Sequence, residues 1–224
     1  MQALQQFTKN PDARWKSSFQ ELWVREVFEG QQDMLVVART GGGKSLAYLL
    51  PPLVELGLKT VVIQPLRALA METMEMLKQH GIPAVLISNS NHLELQVRDD
   101  TRVLVVSVEA ASQIGFYTYV AMAGIKRFII DEAHQYIDDR SYRTYMDGVA
   151  RLRGVAGQFV FTTGTLSVAH QDELLRNIFN LVQVKTFRES TVRPEILLEI
   201  RDLQVGYSNR LVPLIEEEWK KHWG

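Results

Sequence analysis

Seven short runs of β-branched and other apolar residues punctuate the chain, at 35–38, 60–64, 84–87, 103–107, 128–131, 159–163 and 181–185. Most are continuously apolar rather than alternating, which is how a strand covered on both faces reads. Helical stretches lie between them, clearest at 19–29, 45–56, 66–80, 142–153 and 168–179. This alternation predicts right-handed crossovers and a mainly parallel sheet with helices on both faces, an α/β domain. Ligands of such sheets bind beyond the carboxyl ends of the strands, so the residues that follow each run carry the functional information.

Composition narrows the classes. With 46% hydrophobic and 23% charged residues, the 224-residue chain can build a large core and is not a disordered segment. Lys and Arg number 25 against 26 Asp and Glu, so any nucleic-acid binding must use a local patch. Cysteine is absent, which excludes a disulfide scaffold, a thiol nucleophile and Cys-ligated metal sites within this sequence. No apolar run is long enough to span a membrane, and the N-terminus lacks a signal-peptide pattern, so the expectation is a soluble intracellular protein with no membrane partner. A boundary is expected at Arg193-Pro194: residues 1–192 form the domain, and 193–224 read as a linker and the start of a second domain. Within that tail, 196–200 is strand-like and 210–223 suits an amphipathic helix.

The first strand runs into Ala38-Arg39-Thr40-Gly41-Gly42-Gly43-Lys44-Ser45, and a helix follows. Successive glycines let backbone N–H groups converge on an anion, and the helix N-terminus adds partial positive charge. Lys44 is placed for β- and γ-phosphates, and the Ser45 hydroxyl for Mg²⁺. The strict phosphate-loop pattern is missed only at its first position, where Ala38 stands. A glycine-rich surface turn is the plain alternative, disfavoured by the strand before it and the helix after it.

The fifth run ends in Asp131-Glu132-Ala133-His134. Beside a phosphate loop, Asp131 would hold Mg²⁺ and Glu132 would take the proton of an attacking water. A helix start decorated with acids is the alternative.

Taken together, Thr40-Gly41-Gly42-Gly43-Lys44-Ser45 and Asp131-Glu132-Ala133-His134 resemble the superfamily-2 DEAH-box helicases, and within them the RecQ branch. That family tolerates a small residue at the loop's first position. Gln20 stands where it has an adenine-reading glutamine. Gln64-Pro65-Leu66-Arg67 and Ser107-Val108-Glu109 resemble its nucleic-acid backbone motifs, with Arg67 and Ser107 as candidate contacts. Thr163-Gly164-Thr165 resembles its coupling motif, so Thr163, Thr165 and His134 are candidates for coupling. Arg193-Pro194-Glu195-Ile196 resembles its link to a second lobe. Departures follow the acidic motif, where the family's aromatic-rich loop is altered. Here Tyr136 and Tyr142 are candidates to stack on bases, and Arg140 and Arg143 to meet phosphates. Packing of Tyr142 and Tyr145 on one helix face is an equal reading. Trp15 and Lys16 are the nearest candidates for a ring and a cation beside adenine.

The resemblance implies a RecA-like P-loop NTPase lobe that uses ATP and Mg²⁺. In a 3′–5′ DNA helicase it would act on single-stranded and duplex DNA together with a second lobe. The compartment would be nuclear in a eukaryote and cytoplasmic in a bacterium. Three other readings stay open: an RNA helicase of the DEAD/DEAH group, an ATP-gated nucleic-acid-binding module with little turnover, and a P-loop kinase or transporter ATPase, which would leave Asp131-Glu132-Ala133-His134 and Thr163-Gly164-Thr165 unexplained. Because the family's arginine finger comes from the second lobe, the 224-residue chain is expected to hydrolyse ATP weakly.

Overall fold

The apolar runs become seven strands of one sheet: β1 (Met34–Val37), β2 (Lys59–Gln64), β3 (Ala84–Ile87), β4 (Val103–Ser107), β5 (Ile125–Ile130), β6 (Gln158–Thr163) and β7 (Lys185–Arg188). The computed structural model describes residues 2–91, 93–138 and 143–191, all within one compact unit, Met1–Val192. The expectations for 193–224, for Arg140 and Tyr142, and for the Arg143 side chain lie outside the described residues.

The strand order is β3-β4-β2-β5-β6-β1-β7, and every neighbouring pair is parallel. Successive side chains of a strand point to opposite faces, and two separate cores result. Leu35, Val61, Leu104, Phe128 and Phe161 belong to one; Val36, Val62, Val105, Ile129 and Val160 belong to the other. The helices in chain order are α1 (Gln2–Thr8), α2 (Ser18–Glu29), α3 (Leu46–Leu49), α4 (Pro51–Val54), α5 (Arg67–Gln79), α6 (Leu93–Gln96), α7 (Val108–Ala111), α8 (Ile114–Met122), α9 (Gln135–Asp138), α10 (Arg143–Ala150) and α11 (Val168–Asp172). Trp23, Val24 and Val27 of α2 and Ala70 and Leu77 of α5 cover the second face, while Phe116 and Val120 of α8 and Met146 and Val149 of α10 cover the first.

Several elements depart from the sequence expectation for identifiable reasons. The stretch 45–56 divides into α3 and α4 because Pro51, lacking an N–H, opens a new helical turn. The stretch 168–179 is α11 followed by a π-helical turn, Glu173–Ile178. Strand β7 begins where its apolar run ends. Leu181 instead closes the π turn, its N–H donating to the Leu175 carbonyl at 2.7 Å, and the edge strand buries only Phe187.

Strands β2, β5, β6 and β1 are consecutive neighbours. Their carboxyl ends therefore deliver Gln64, Asp131, Thr163 and the loop after Val37 to one rim of the sheet.

Candidate functional site

The phosphate loop continues the sheet before it turns. Ala38 N–H donates to the Thr163 carbonyl at 3.0 Å, and Gly42 N–H then closes a turn on the Arg39 carbonyl at 2.9 Å. Gly41 (φ 78°) and Gly43 (φ 80°) occupy the left-handed region, which other residues enter only at a cost. Side chains tie down the loop's carbonyls. Lys44 Nζ donates to Ala38 O at 3.0 Å, Lys16 Nζ to Gly41 O at 3.1 Å, and Gln20 Nε2 to Gly42 O at 3.2 Å. Gln20 is buried and accepts the Lys16 N–H on its Oε1 at 2.9 Å. A Cβ on Gly43 would lie 2.4 Å from Gln20 Nε2, so any larger residue there would displace the Gln20 amide from the Gly42 carbonyl. Trp15 packs against the core on the α2 side, and Ser45 makes no capping hydrogen bond at the start of α3. Thr40 is exposed on the loop.

Opposite the loop, Asp131 is 9% exposed and is held by neutral donors. Its Oδ1 accepts Thr162 Oγ1 at 2.6 Å and the Glu132 N–H at 3.0 Å; its Oδ2 accepts Gln64 Nε2 at 3.2 Å. No cation pairs with it among the described residues. Glu132 sits at φ 45°, a strained setting for a residue with a Cβ and one that concentrates at functional sites. Burial first, and then the neighbouring Asp131, push the Glu132 carboxyl above its ordinary range, while Lys44 and His134 pull the other way. His134 Nδ1 lies 3.3 Å from Glu132 Oε2 and 2.9 Å from Thr163 Oγ1, and Thr163 Oγ1 accepts the Thr165 N–H at 3.3 Å. A continuous contact path therefore joins the acidic motif to the turn after β6. The helix beyond that turn is capped by Ser167, so neither threonine is needed as its cap.

A cavity of about 380 Å³ opens between these groups, lined by Gly43, Lys44, Ser45, Gln64, Asp131 and Glu132 among others. Its size suits a small ligand. A larger hollow of about 570 Å³ lies at the amino ends of the strands, walled by Asp33, Lys126, Arg153 and Gln158. It has neither a phosphate loop nor an acidic pair, so chemistry rather than volume locates the site. Among the described residues, no three His, Asp or Glu side chains could cage a metal by themselves. A divalent ion at Ser45 and Asp131 would have to complete its shell with water and phosphate oxygens, which is how Mg²⁺ is held beside nucleotides.

The remaining candidates divide. Arg67 is exposed at the first turn of α5. Ser107 caps α7, its Oγ accepting the Ala110 N–H at 3.2 Å. Tyr136 requires a correction: it is 1% exposed and meets Phe179 edge-on at 6.4 Å between centroids, so its ring cannot stack on a base. The sequence reading missed Thr162, Thr73 and the Gln64 side chain. Their only signal is a polar residue ending, or facing, a strand that is otherwise apolar.

A phosphate-binding loop facing an acidic pair across the carboxyl rim of a parallel sheet defines a P-loop NTPase of RecA-like fold. Residues 17–174 match the DEAD/DEAH box helicase family, and the chain belongs to that family. Among curated relatives, it is 31% identical over 192 residues to ATP-dependent DNA helicase RecQ of Haemophilus influenzae, covering 79% of this chain and 30% of that protein. It is 28% identical over 195 residues to RecQ of Synechocystis, covering 80% and 41%. Helicase Q5 of Mus musculus is 25% identical over 205 residues, covering 84% and 21%. The resemblance to the RecQ branch is thus borne out, while the chain spans less than half the length of these relatives. Among solved structures, Saccharomyces cerevisiae Dbp5, bound to Nup159, Gle1, IP6 and ADP, superposes with a TM-score of 0.64 at 19% identity, covering 83% of this chain and 52% of that one. That likeness shows the RecA-like fold. Among the described residues, no helix is long and apolar enough to cross a membrane.

Proposed function

We propose that this chain is the first, ATP-binding lobe of an ATP-dependent DNA helicase similar to RecQ. The observation that carries the reading is the single cavity in which Lys44 and Ser45 face Asp131 and Glu132. Lys44 and the amides of Thr40, Gly41, Gly42 and Gly43 would hold the phosphates, and Gln20 would read adenine. Ser45 and Asp131 would hold Mg²⁺, whose bound form neutralises phosphate charge. Glu132, kept above its ordinary pKa range mainly by burial, is suited to take a proton from water near neutral pH. His134, Thr163 and Thr165 would report the state of that site to the turn after β6. Arg67, Ser107, Arg140, Tyr142 and Arg143 are the proposed contacts to nucleic acid. The printed names of the relatives favour DNA over RNA, and 3′–5′ translocation is the polarity the RecQ resemblance implies. Residues 1–192 would be the lobe and 193–224 its link to a second lobe, which supplies the arginine finger. The compartment would be nuclear in a eukaryote and cytoplasmic in a bacterium.

The test is binding of a fluorescent ADP analogue, with ATP hydrolysis measured in parallel with and without single-stranded DNA. Wild type should bind, Lys44→Ala should lose about tenfold or more in affinity, and the chain alone should turn over weakly. Binding indifferent to Lys44→Ala would remove the site assignment. Strong DNA-stimulated hydrolysis by the chain alone would remove the need for a second lobe.

A further inference from the structure

Resting on the nucleotide reading above, we propose that Gln64 is a positioning residue for Asp131, one that presets the carboxylate for a divalent cation. Gln64 is the last residue of β2, the strand next to β5, and is 2% exposed. Its Nε2 donates to two acceptors: Thr73 Oγ1 on α5 at 2.8 Å and Asp131 Oδ2 at 3.2 Å. Its Oε1 is buried and meets no donor among the described residues. A buried carbonyl without a partner is destabilising, and turning the amide over would not help, because Oε1 would then confront the carboxylate. The amide is therefore fixed in one sense, as a donor, and the acceptor it leaves unmet is the cost of that orientation.

The consequence falls on Asp131. Thr162 and the Glu132 amide hold Oδ1, and Gln64 holds Oδ2, so the carboxylate plane is set from two sides before any ligand arrives. Each donor is neutral, so the full negative charge is kept. Tyr48 extends the chain: its hydroxyl lies 3.5 Å from Thr73 Oγ1, and burial keeps the phenol protonated by raising its pKa. The network spans α3, α5, β2, β5 and β6, and it makes the first residue of Gln64-Pro65-Leu66-Arg67 a direct neighbour of the acidic motif. Outer partners of this kind commonly change metal affinity by about 10–100-fold when removed.

The experiment compares ADP-analogue affinity in excess Mg²⁺ with affinity in EDTA, using wild type, Gln64→Leu and Thr73→Val. Leucine keeps the volume and removes the clamp; valine keeps Gln64 and removes its second anchor. For Gln64→Leu, the Mg²⁺-dependent gain in affinity should shrink about tenfold, with EDTA affinity and melting temperature close to wild type. Thr73→Val should shift the ratio the same way by less. A merely structural role would instead lower melting temperature and both affinities together. Ratios equal to wild type in both variants would overturn the assignment of Gln64 alone. Equal wild-type affinity in Mg²⁺ and EDTA would overturn the metal role of Asp131 and this assignment with it, whereas absence of binding in both would overturn the nucleotide reading.

Discussion

Two buried charges mark strand β5, Arg127 within it and Asp131 just beyond its carboxyl end, and the two are compensated in opposite ways. Arg127, 1% exposed, is gripped by Glu55, with Arg127 Nη2 to Glu55 Oε1 at 2.9 Å and the second arm of the fork closing on Oε2. The Val27 carbonyl takes a further bond at 3.2 Å, tying α2 to the same point. Four positions later, Asp131 receives, among the described residues, only hydroxyl and amide donors. The first charge is cancelled within the chain and fastens two helical segments to the sheet. The second keeps its charge and points it into a cavity that holds Lys44 and Ser45. Burial alone therefore does not mark function. What marks it is a charge whose geometry is fixed while its compensation is left to a ligand.

The comparison can be broken at either end, and the largest effect is expected at the carboxyl end. Glu132→Gln in a two-lobed protein should retain nucleotide binding and lower steady-state turnover by about 10²–10⁴-fold, the range for losing a general base. Surviving turnover would take Glu132 out of that role. At the amino end, Glu55→Ala leaves Arg127 buried without its counter-charge and should cost about 3–5 kcal/mol in denaturant unfolding. The folded fraction should bind nucleotide as wild type does. Replacing both partners with apolar residues, Arg127→Met with Glu55→Leu, should recover most of that loss, because the pair itself contributes little net stability.

Asp131→Asn sharpens the contrast from the other side. It should melt within a few degrees of wild type, yet lose the Mg²⁺-dependent part of its nucleotide affinity. A collapse in stability would mean that Asp131 is structural in the way Arg127 is.

The smallest effect concerns pH. The folded-state pKa of Glu132 lies above its unfolded value, so its contribution to stability is greatest below the unfolded pKa and declines as pH rises through the folded one. Glu132→Gln should therefore melt at or slightly above wild type at neutral pH and at or below it in acid. The acid limb of the wild-type turnover profile should fall above the ordinary glutamate pKa of about 4.3. A limb at or below that value would contradict the burial argument.

Much of this was legible in the sequence, for reasons that differ by element. Strands β1, β2, β4, β5 and β6 announce themselves because central parallel strands are covered on both faces and must be apolar throughout; β3, at one edge, was legible because it still carries the apolar run Ala84–Ile87. Strand β7 was not, because an edge strand needs little burial, and the apolar run before it serves the π turn instead. The phosphate loop and the acidic motif were legible because their chemistry demands particular residues at close spacing. Tyr136 was misread, since an aromatic residue beside charged ones looks like a surface ring until the fold folds it under Phe179. Gln64, Thr73 and Thr162 converge from β2, α5 and β6, and nothing in their local sequence announces that meeting.

The tethered carbonyls of the phosphate loop have a consequence for selectivity. Oxygens of Ala38, Gly41 and Gly42 are each occupied by a side-chain donor, from Lys44, Lys16 and Gln20 respectively. A visiting ammonium or amide donor finds those acceptors already spoken for, whereas an acceptor-rich guest meets a loop with donors gathered around it. The loop thus favours guests of one polarity, and it does so by engaging its own oxygens with its own side chains.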